Sequence, residues 1–315
     1  MPILRSPISA VTYLTNLQFD LTKFWEIEEG PTKPHFSSEE IACEKHFQKH
    51  ATRNTDGRYV VALPFREEHI NLGESRARAL TRLNALNRKF INNSALREQY
   101  AAVIDEYKSL RHMAVSDPVQ ENGFYLPHHA VVKESSTTTK LRVVFDGSAK
   151  SSTGIFLNET LMVGPTIQQD IFTLTTRFRT HNFVLTGDID KMYRQFLVQE
   201  SDRMFQRILW TDSNGVVKTY GLNTLIFGLA SAPFLAIHWI HQLTDDEKHR
   251  YPTAAKILQR DLYLDDLLTG ADTIEDALEI RNEVIEMLRL EKLNLRQWAS
   301  PIHACFKVSR KPAYI

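Results

Sequence analysis

The chain has 315 residues, with 38 basic side chains against 38 acidic ones and 43% hydrophobic content. That length allows two domains or one large domain with an extension, and zero net charge argues against a chain that binds polyanions over its whole surface. Two cysteines, Cys43 and Cys305, are too few and too separated to suggest a disulfide framework or a zinc site, and no window approaches the roughly 20 apolar residues of a membrane span. A soluble, intracellular protein is expected, and Met1-Pro2-Ile3-Leu4-Arg5 has no long apolar core of a signal peptide.

Residues 1–72 read as irregular structure with short elements. Phe24-Trp25-Glu26-Ile27-Glu28-Glu29 precedes a proline-bearing segment, and Ser37-Ser38-Glu39-Glu40 supplies the start of a helix running through Cys43 to His50. Gly57 to Pro64 predicts a strand ended by its proline. Two helices follow, broken at Asn92-Asn93-Ser94. Leu80, Leu83, Leu86 and Phe90 face inward on the first, and Leu96, Tyr100, Val103, Ile104, Tyr107 and Leu110 on the second. These helices are also basic, carrying Arg76, Arg78, Arg82, Arg88, Lys89, Arg97, Lys108 and Arg111, whereas 261–291 is dominated by acids.

From Gly123 the pattern turns to strands. His129 to Lys133 and Leu141 to Gly147 form a hairpin around a Ser/Thr loop, with a basic residue near each side of its tip. Phe183 to Ile189 is a strand whose apolar run ends in Asp188, and Lys191 to Phe196 is a turn entering a short helix. Phe205 to Trp210 and Val216 to Phe227 make a second hairpin around Asp212-Ser213-Asn214-Gly215. Ser231 is placed to cap a helix with Pro233 in its first turn and Phe234, Ile237, Ile240 and Leu243 inward. Ala254 to Gln259 leads towards an Asp-Asp strand. Thr273-Ile274-Glu275-Asp276 opens a further helix with Ala277, Ile280, Val284 and Leu288 inward, and Leu293 to Trp298 is a final strand. This order implies α+β, with helices on one face of a small antiparallel sheet.

The chemistry concentrates at Tyr263-Leu264-Asp265-Asp266. Adjacent carboxylates in a strand-like apolar segment repel one another and resist burial, so a cation should offset them, and Mg²⁺ is the simplest candidate. An Asp-Asp pair at a hairpin tip is equally an ordinary turn former. Two-metal phosphoryl transfer needs carboxylates from different strands, and Asp188 can supply the third; Asp190 is a competing carboxylate read as structural.

The ordered series Phe24 to Glu29, Gly57 to Phe65, Leu141 to Gly147, Asp188 to Phe196, Gly221 to Pro233, Tyr263 to Asp266 and Leu295 to Ser300 resembles reverse transcriptases, in detail those of Bel/Pao long-terminal-repeat retrotransposons. The resemblance implies an α+β right-hand polymerase fold with fingers and palm. Residues 1–122 would be a helical N-terminal extension and connector, 123–300 fingers and palm, and 301–315 an unmatched tail. It implies an RNA-directed DNA polymerase with two Mg²⁺ ions, Mn²⁺ being a possible substitute. Its partners would be a primed RNA or DNA template and deoxynucleoside triphosphates, with no membrane involved, and its location cytoplasmic particles.

By the same resemblance Asp188, Asp265 and Asp266 are catalytic and metal-binding, with Ile189 lending a backbone carbonyl to a metal. Tyr193 would lie beneath the incoming sugar and exclude a ribose 2′-hydroxyl. Arg142 and Lys133 would contact the triphosphate, Asp146 belongs to the same motif, and Phe227-Gly228 would pack beside nucleotide and template. Lys133 stands further from Arg142 than the family spacing, and Lys307 is the candidate for a lysine after the Arg-x-Trp segment. The family continues past Ser300 into a thumb, a connection and a ribonuclease H domain, and an aspartic protease precedes it. These residues carry neither, so the resemblance implies the middle of a polyprotein. The competing reading is an inactive or domesticated remnant that binds nucleic acid or protein through the same fold.

Overall fold

The computed structural model describes residues 36–66, 72–116, 123–132 and 141–299. Every helix and strand of the described residues lies in the unit Ser38–Ile315. The Phe24–Glu29 segment, Lys133 and Lys307 lie outside the described residues.

Helix α1 (Ser38–His50) begins where the serine-acid run expects it, with Glu39 and Glu40 at the positive end of its dipole and Lys49 and His50 at the negative end. It buries Cys43 and Phe47, one turn apart. Short strands β1 (Thr52–Arg53) and β2 (Tyr59–Val61) pair antiparallel. Helices α2 (Arg76–Asn92) and α3 (Ser94–Ser109) break at Asn93, whose side chain accepts a hydrogen bond from the Leu96 N–H at 2.9 Å. Leu83, Leu86 and Phe90 of α2 and Tyr100, Ile104 and Tyr107 of α3 are buried as their spacing predicts, but Leu110, at the C-cap of α3, is exposed.

Strand β3 (Met113–Val115) precedes the hairpin β4 (His128–Val132) and β5 (Leu141–Phe145), and α4 (Leu157–Thr160) and α5 (Ile171–Phe178) follow. Then come β6 (Phe183–Ile189), β7 (Leu197–Val198), β8 (Arg207–Thr211) and β9 (Val217–Leu222). The chain closes with α6 (Ala232–Glu247), α7 (Pro252–Asp261), β10 (Leu262–Tyr263), β11 (Asp266–Ala271), α8 (Ile274–Arg289) and β12 (Leu295–Ala299). The architecture is a mixture of helices and small, mainly antiparallel sheets, compatible with α+β. β3, β9 and β8 form one sheet, and β1, β2 and β7 form another in which β7 runs parallel to β2.

One capping expectation fails. Ser231 makes no capping hydrogen bond to α6, because its backbone is already in the helical region and its side chain is fully buried. Residues 254–259, which lead towards the acidic strand as expected, lie in α7, opened by Pro252 at the first turn. Thr273 does cap α8, accepting from the Asp276 N–H at 3.1 Å.

The sheet that positions the site runs β10-β11-β6-β12, with every pair antiparallel. Leu185, Gly187 and Ile189 of β6 share one face with Leu267, Thr269 and Ala271 of β11, and helices α5, α7 and α8 pack on this sheet. Because side chains alternate, Thr186 and Asp188 point to the other face. The basic helices belong to the same core as these strands: Tyr100 stacks on Trp210, with ring centroids 5.4 Å apart, and Tyr59 on Trp239 at 3.9 Å. Among the described residues no helix is long and apolar enough to cross a membrane.

Candidate active site

Asp188 sits one residue from the end of β6, directly opposite Asp266 on β11 and Arg296 on β12. Directly opposed residues of an antiparallel pair share a face, so the two carboxylates stand side by side. Asp265 occupies the two-residue turn between β10 and β11, and its carbonyl accepts the Ile189 N–H at 2.8 Å, tying the hairpin tip to the end of β6. Leu264, the other turn residue, has φ 54°, a left-handed conformation costly for a branched side chain. Gln168 steadies it, its side-chain oxygen accepting the Leu264 N–H at 3.0 Å. Gly187 makes room for β12, since a Cβ there would lie 2.8 Å from the Leu295 side chain.

The electrostatics follow from this crowding. Burial, then the charges of Asp265, Asp266 and Asp190, push the Asp188 carboxyl up to about 6, and only Arg142 pulls the other way. Burial and Asp265 raise the Asp266 carboxyl as well. Asp190 differs: its carboxylate pairs with Arg296 at 3.2 Å and its N–H donates to the Asn294 carbonyl at 2.9 Å. Its structural reading fits these partners.

Asp188, Asp265 and Asp190 line a cleft of about 570 Å³ with Arg142 on β5 and Phe227. Tyr193, in a 3-10 turn at Met192–Gln195, is 4% exposed and packs edge-on against Phe227 with ring centroids 4.5 Å apart. Burial and the nearby Asp265 push its phenol up to about 12. Gly228 has φ 106°, and a Cβ there would fall 2.1 Å from the Phe145 carbonyl oxygen. That approach fixes Phe227 against the strand bearing Arg142. Asp188, Ile189, Arg142, Tyr193, Phe227, Gly228, Asp265 and Asp266 are therefore gathered around one cleft or the backbone supporting it. Asp146 is not among them: it lines a second cleft beside Arg82 and Lys89, and its carboxylate accepts the Ser148 N–H at 3.1 Å.

Neither a protein-family model nor a curated protein matches the chain.

One group at the site gave no local signal in the sequence. Glu106 on α3 pairs with Lys191 at 2.6 Å and Arg194 at 2.9 Å, bracing the loop that joins Asp188 to Tyr193. Burial works to raise its carboxyl, but contact with Lys191 and the charge of Arg194 hold it below the usual range. Arg194 also lies 3.9 Å over the Tyr107 ring and donates from Nε to His112 Nδ1 at 2.9 Å. Lys191 has φ 54° and Gln297, across the cleft on β12, φ 52°. These two left-handed, non-glycine residues line the cleft, and Leu264 immediately precedes its Asp265.

Among the described residues no group of three or more His, Cys, Asp or Glu side chains is drawn together closely enough to hold a metal ion as it stands. The donor chemistry nevertheless fits a hard divalent cation, with carboxylate oxygens only and a mutual repulsion that such a cation relieves.

Proposed function

We propose that this chain is the fingers and palm of an RNA-directed DNA polymerase of the reverse transcriptase type, adding deoxynucleotides to a primer 3′-hydroxyl. The observation that carries the reading is the pairing of Asp188 with Asp266 across neighbouring strands, with Asp265 in the adjoining turn and Arg142 facing them over one cleft. The order of the resembling segments supports the same assignment.

In this reading Arg142 binds the triphosphate, its planar guanidinium offering paired donors to phosphate oxygens. Tyr193, backed by Phe227, forms a rigid aromatic platform under the sugar, where an added 2′-hydroxyl would meet a ring that cannot withdraw. Phe227 and Gly228 shape the wall beside nucleotide and template. Glu106 holds the intervening loop in register. Asp188, Asp265, Asp266 and the Ile189 carbonyl are the groups that would hold Mg²⁺, which supplies charge stabilisation at the attacking and leaving oxygens. The raised Asp188 carboxyl stores the repulsion that makes cation capture favourable.

Primer extension on an RNA template with Mg²⁺ tests the proposal. Template-dependent extension lost in Asp188→Asn and Asp265→Asn is the expected result. Extension that survives both substitutions sinks the site, and RNA binding without any extension favours a non-catalytic nucleic-acid-binding protein.

A further inference from the structure

Helix α1 carries two histidines one helical turn apart, His46 and His50, none of whose chemistry the acidic cleft uses. Residues four apart on a helix share one face, with Cβ atoms about 5–6 Å apart. Here the two imidazoles lie together, with ring centroids 4.3 Å apart and planes tilted by 38°.

Each ring is prepared to offer a nitrogen lone pair. His50 Nδ1 lies 2.9 Å from the His46 carbonyl oxygen, which can only accept, so Nδ1 carries the proton and Nε2 keeps its lone pair. A ring N–H held by a backbone carbonyl is the usual support of a metal-bound histidine, because it fixes both tautomer and ring orientation. In His46 the Nδ1 atom is buried without a partner among the described residues, which leaves Nε2 as the outward nitrogen. Burial, then His50 and Lys49, push the His46 imidazole down to about 4, so at neutral pH no proton competes for it.

The neighbours narrow the ligand set. Cys43 is fully buried and burial pushes its thiol up to about 12, so it stays protonated and offers no thiolate. Glu44 is engaged by His238 Nε2 at 2.8 Å. Lys45 and Lys49 on the same helix oppose a bound cation. The negative end of the α1 dipole and the carboxylate of Asp202, which lies within electrostatic reach of His50, favour one. His238 and His241, three apart on α6, make no second pair of this kind, since His238 gives its Nε2 to Glu44 and has its Nδ1 buried.

We propose that His46 and His50 chelate one borderline transition-metal ion, Zn²⁺, Cu²⁺ or Ni²⁺, through their Nε2 atoms, with water completing its coordination. Imidazole nitrogen suits these ions, whereas Mg²⁺ takes oxygen ligands. Two histidines one turn apart on a helix can hold a single zinc ion. The site is thus distinct in chemistry from the carboxylates of the acidic cleft and does not depend on the polymerase reading. Bound metal would clamp the last turn of α1, whose Phe47 stacks on His238 of α6 with ring centroids 3.7 Å apart.

Isothermal titration of Zn²⁺ into the full chain, carrying no affinity tag and held in excess Mg²⁺, tests the site. His46→Asn and His50→Asn should each weaken Zn²⁺ binding about a hundredfold, the loss of a second, intramolecular contact. His249→Asn, at an exposed histidine elsewhere, and Asp188→Asn/Asp265→Asn should bind as wild type does. Cu²⁺ on the wild type should show electron paramagnetic resonance splitting from two imidazole nitrogens, reduced to one in either histidine variant. Wild-type chain that binds no Zn²⁺, binding unchanged in either histidine variant, or binding lost in the aspartate pair overturns the proposal. Circular dichroism separates lost binding from lost folding, and should His46→Asn unfold, His50→Asn at the helix end and the wild-type copper spectrum decide. Wild-type chain that binds Zn²⁺ but fails to extend a primer overturns the polymerase reading alone.

Discussion

Two aspartates near the central sheet have opposite fates. Asp261, at the end of α7, is 1% exposed; it receives Arg260 at 2.6 Å, Arg177 at 3.0 Å and the Thr269 hydroxyl at 2.8 Å. Burial alone would raise its carboxyl, but those hydrogen bonds and charges hold it below the usual range. Asp188 is less buried yet faces mainly other carboxylates, and its carboxyl rises to about 6. The first arrangement stabilises the fold at neutral pH, and the second costs stability there. A protein retains such a repulsive cluster where the charge serves binding or chemistry.

The largest expected effect separates them in activity. Asp188→Asn should lower primer extension by at least about a thousandfold, the scale of losing a transition-state electrostatic contact. Asp261→Asn should leave the specific activity of the folded fraction near wild type. In denaturant titrations Asp261→Ala should cost about 3 kcal/mol, because it strands two guanidinium groups. An Asp261→Ala protein as stable as wild type would remove the structural half of the contrast.

The pH dependences should run in opposite directions. For Asp188, whose folded value is raised from 3.8 to about 6, the stability contribution is full below the unfolded value and lost as pH rises through the folded one. Asp188→Asn should therefore melt higher than wild type at neutral pH and converge with it near pH 4. Asp261, with a lowered carboxyl, contributes above its unfolded value of 3.8 and loses that contribution as pH falls through its folded value. Thermal melts across this range read both. Mg²⁺ should raise the wild-type midpoint by a few degrees and leave that of Asp188→Asn/Asp265→Asn unmoved.

The smallest effect concerns the bracing carboxylate. Glu106→Gln keeps the side-chain shape but removes the charge that pairs Lys191 and Arg194. We expect kcat to fall about tenfold with little change in nucleotide KM, as for a positioning residue. A purely structural role would lower the melting point and leave kcat of the folded fraction intact.

Much of this was legible in the sequence because it is local. The apolar stripes of α2, α3, α6 and α8, the Thr273 cap and the strand that carries Asp188 near its end all follow from spacings within one element. The Asp188, Asp265 and Asp266 grouping is suggested by carboxylates at a strand end and a hairpin and sharpened by the ordered resemblance, and β6 pairs with β11 so that Asp188 faces Asp266. What could not be read was the pairing of distant groups. Glu106 lies inside a helix whose pattern says only that Tyr107 is buried, and nothing local announces Lys191 and Arg194 as its partners. Motif order does not specify which side of a hairpin a side chain serves, and Asp146 lies on the second cleft rather than beside Asp188.

The left-handed backbones at Lys191 and Gln297 on the cleft, and at Leu264 next to its Asp265, are places where an engineer could harden the protein. Each forces a side-chain-bearing residue into a conformation that glycine adopts freely, at about 1 kcal/mol or more per position. Glycine replacements there should recover part of that strain, offset by a more flexible unfolded chain. A sturdier protein obtained this way would trade away the fixed rim on which the aspartates depend, so thermostability screens and activity screens should select opposite residues at these three positions.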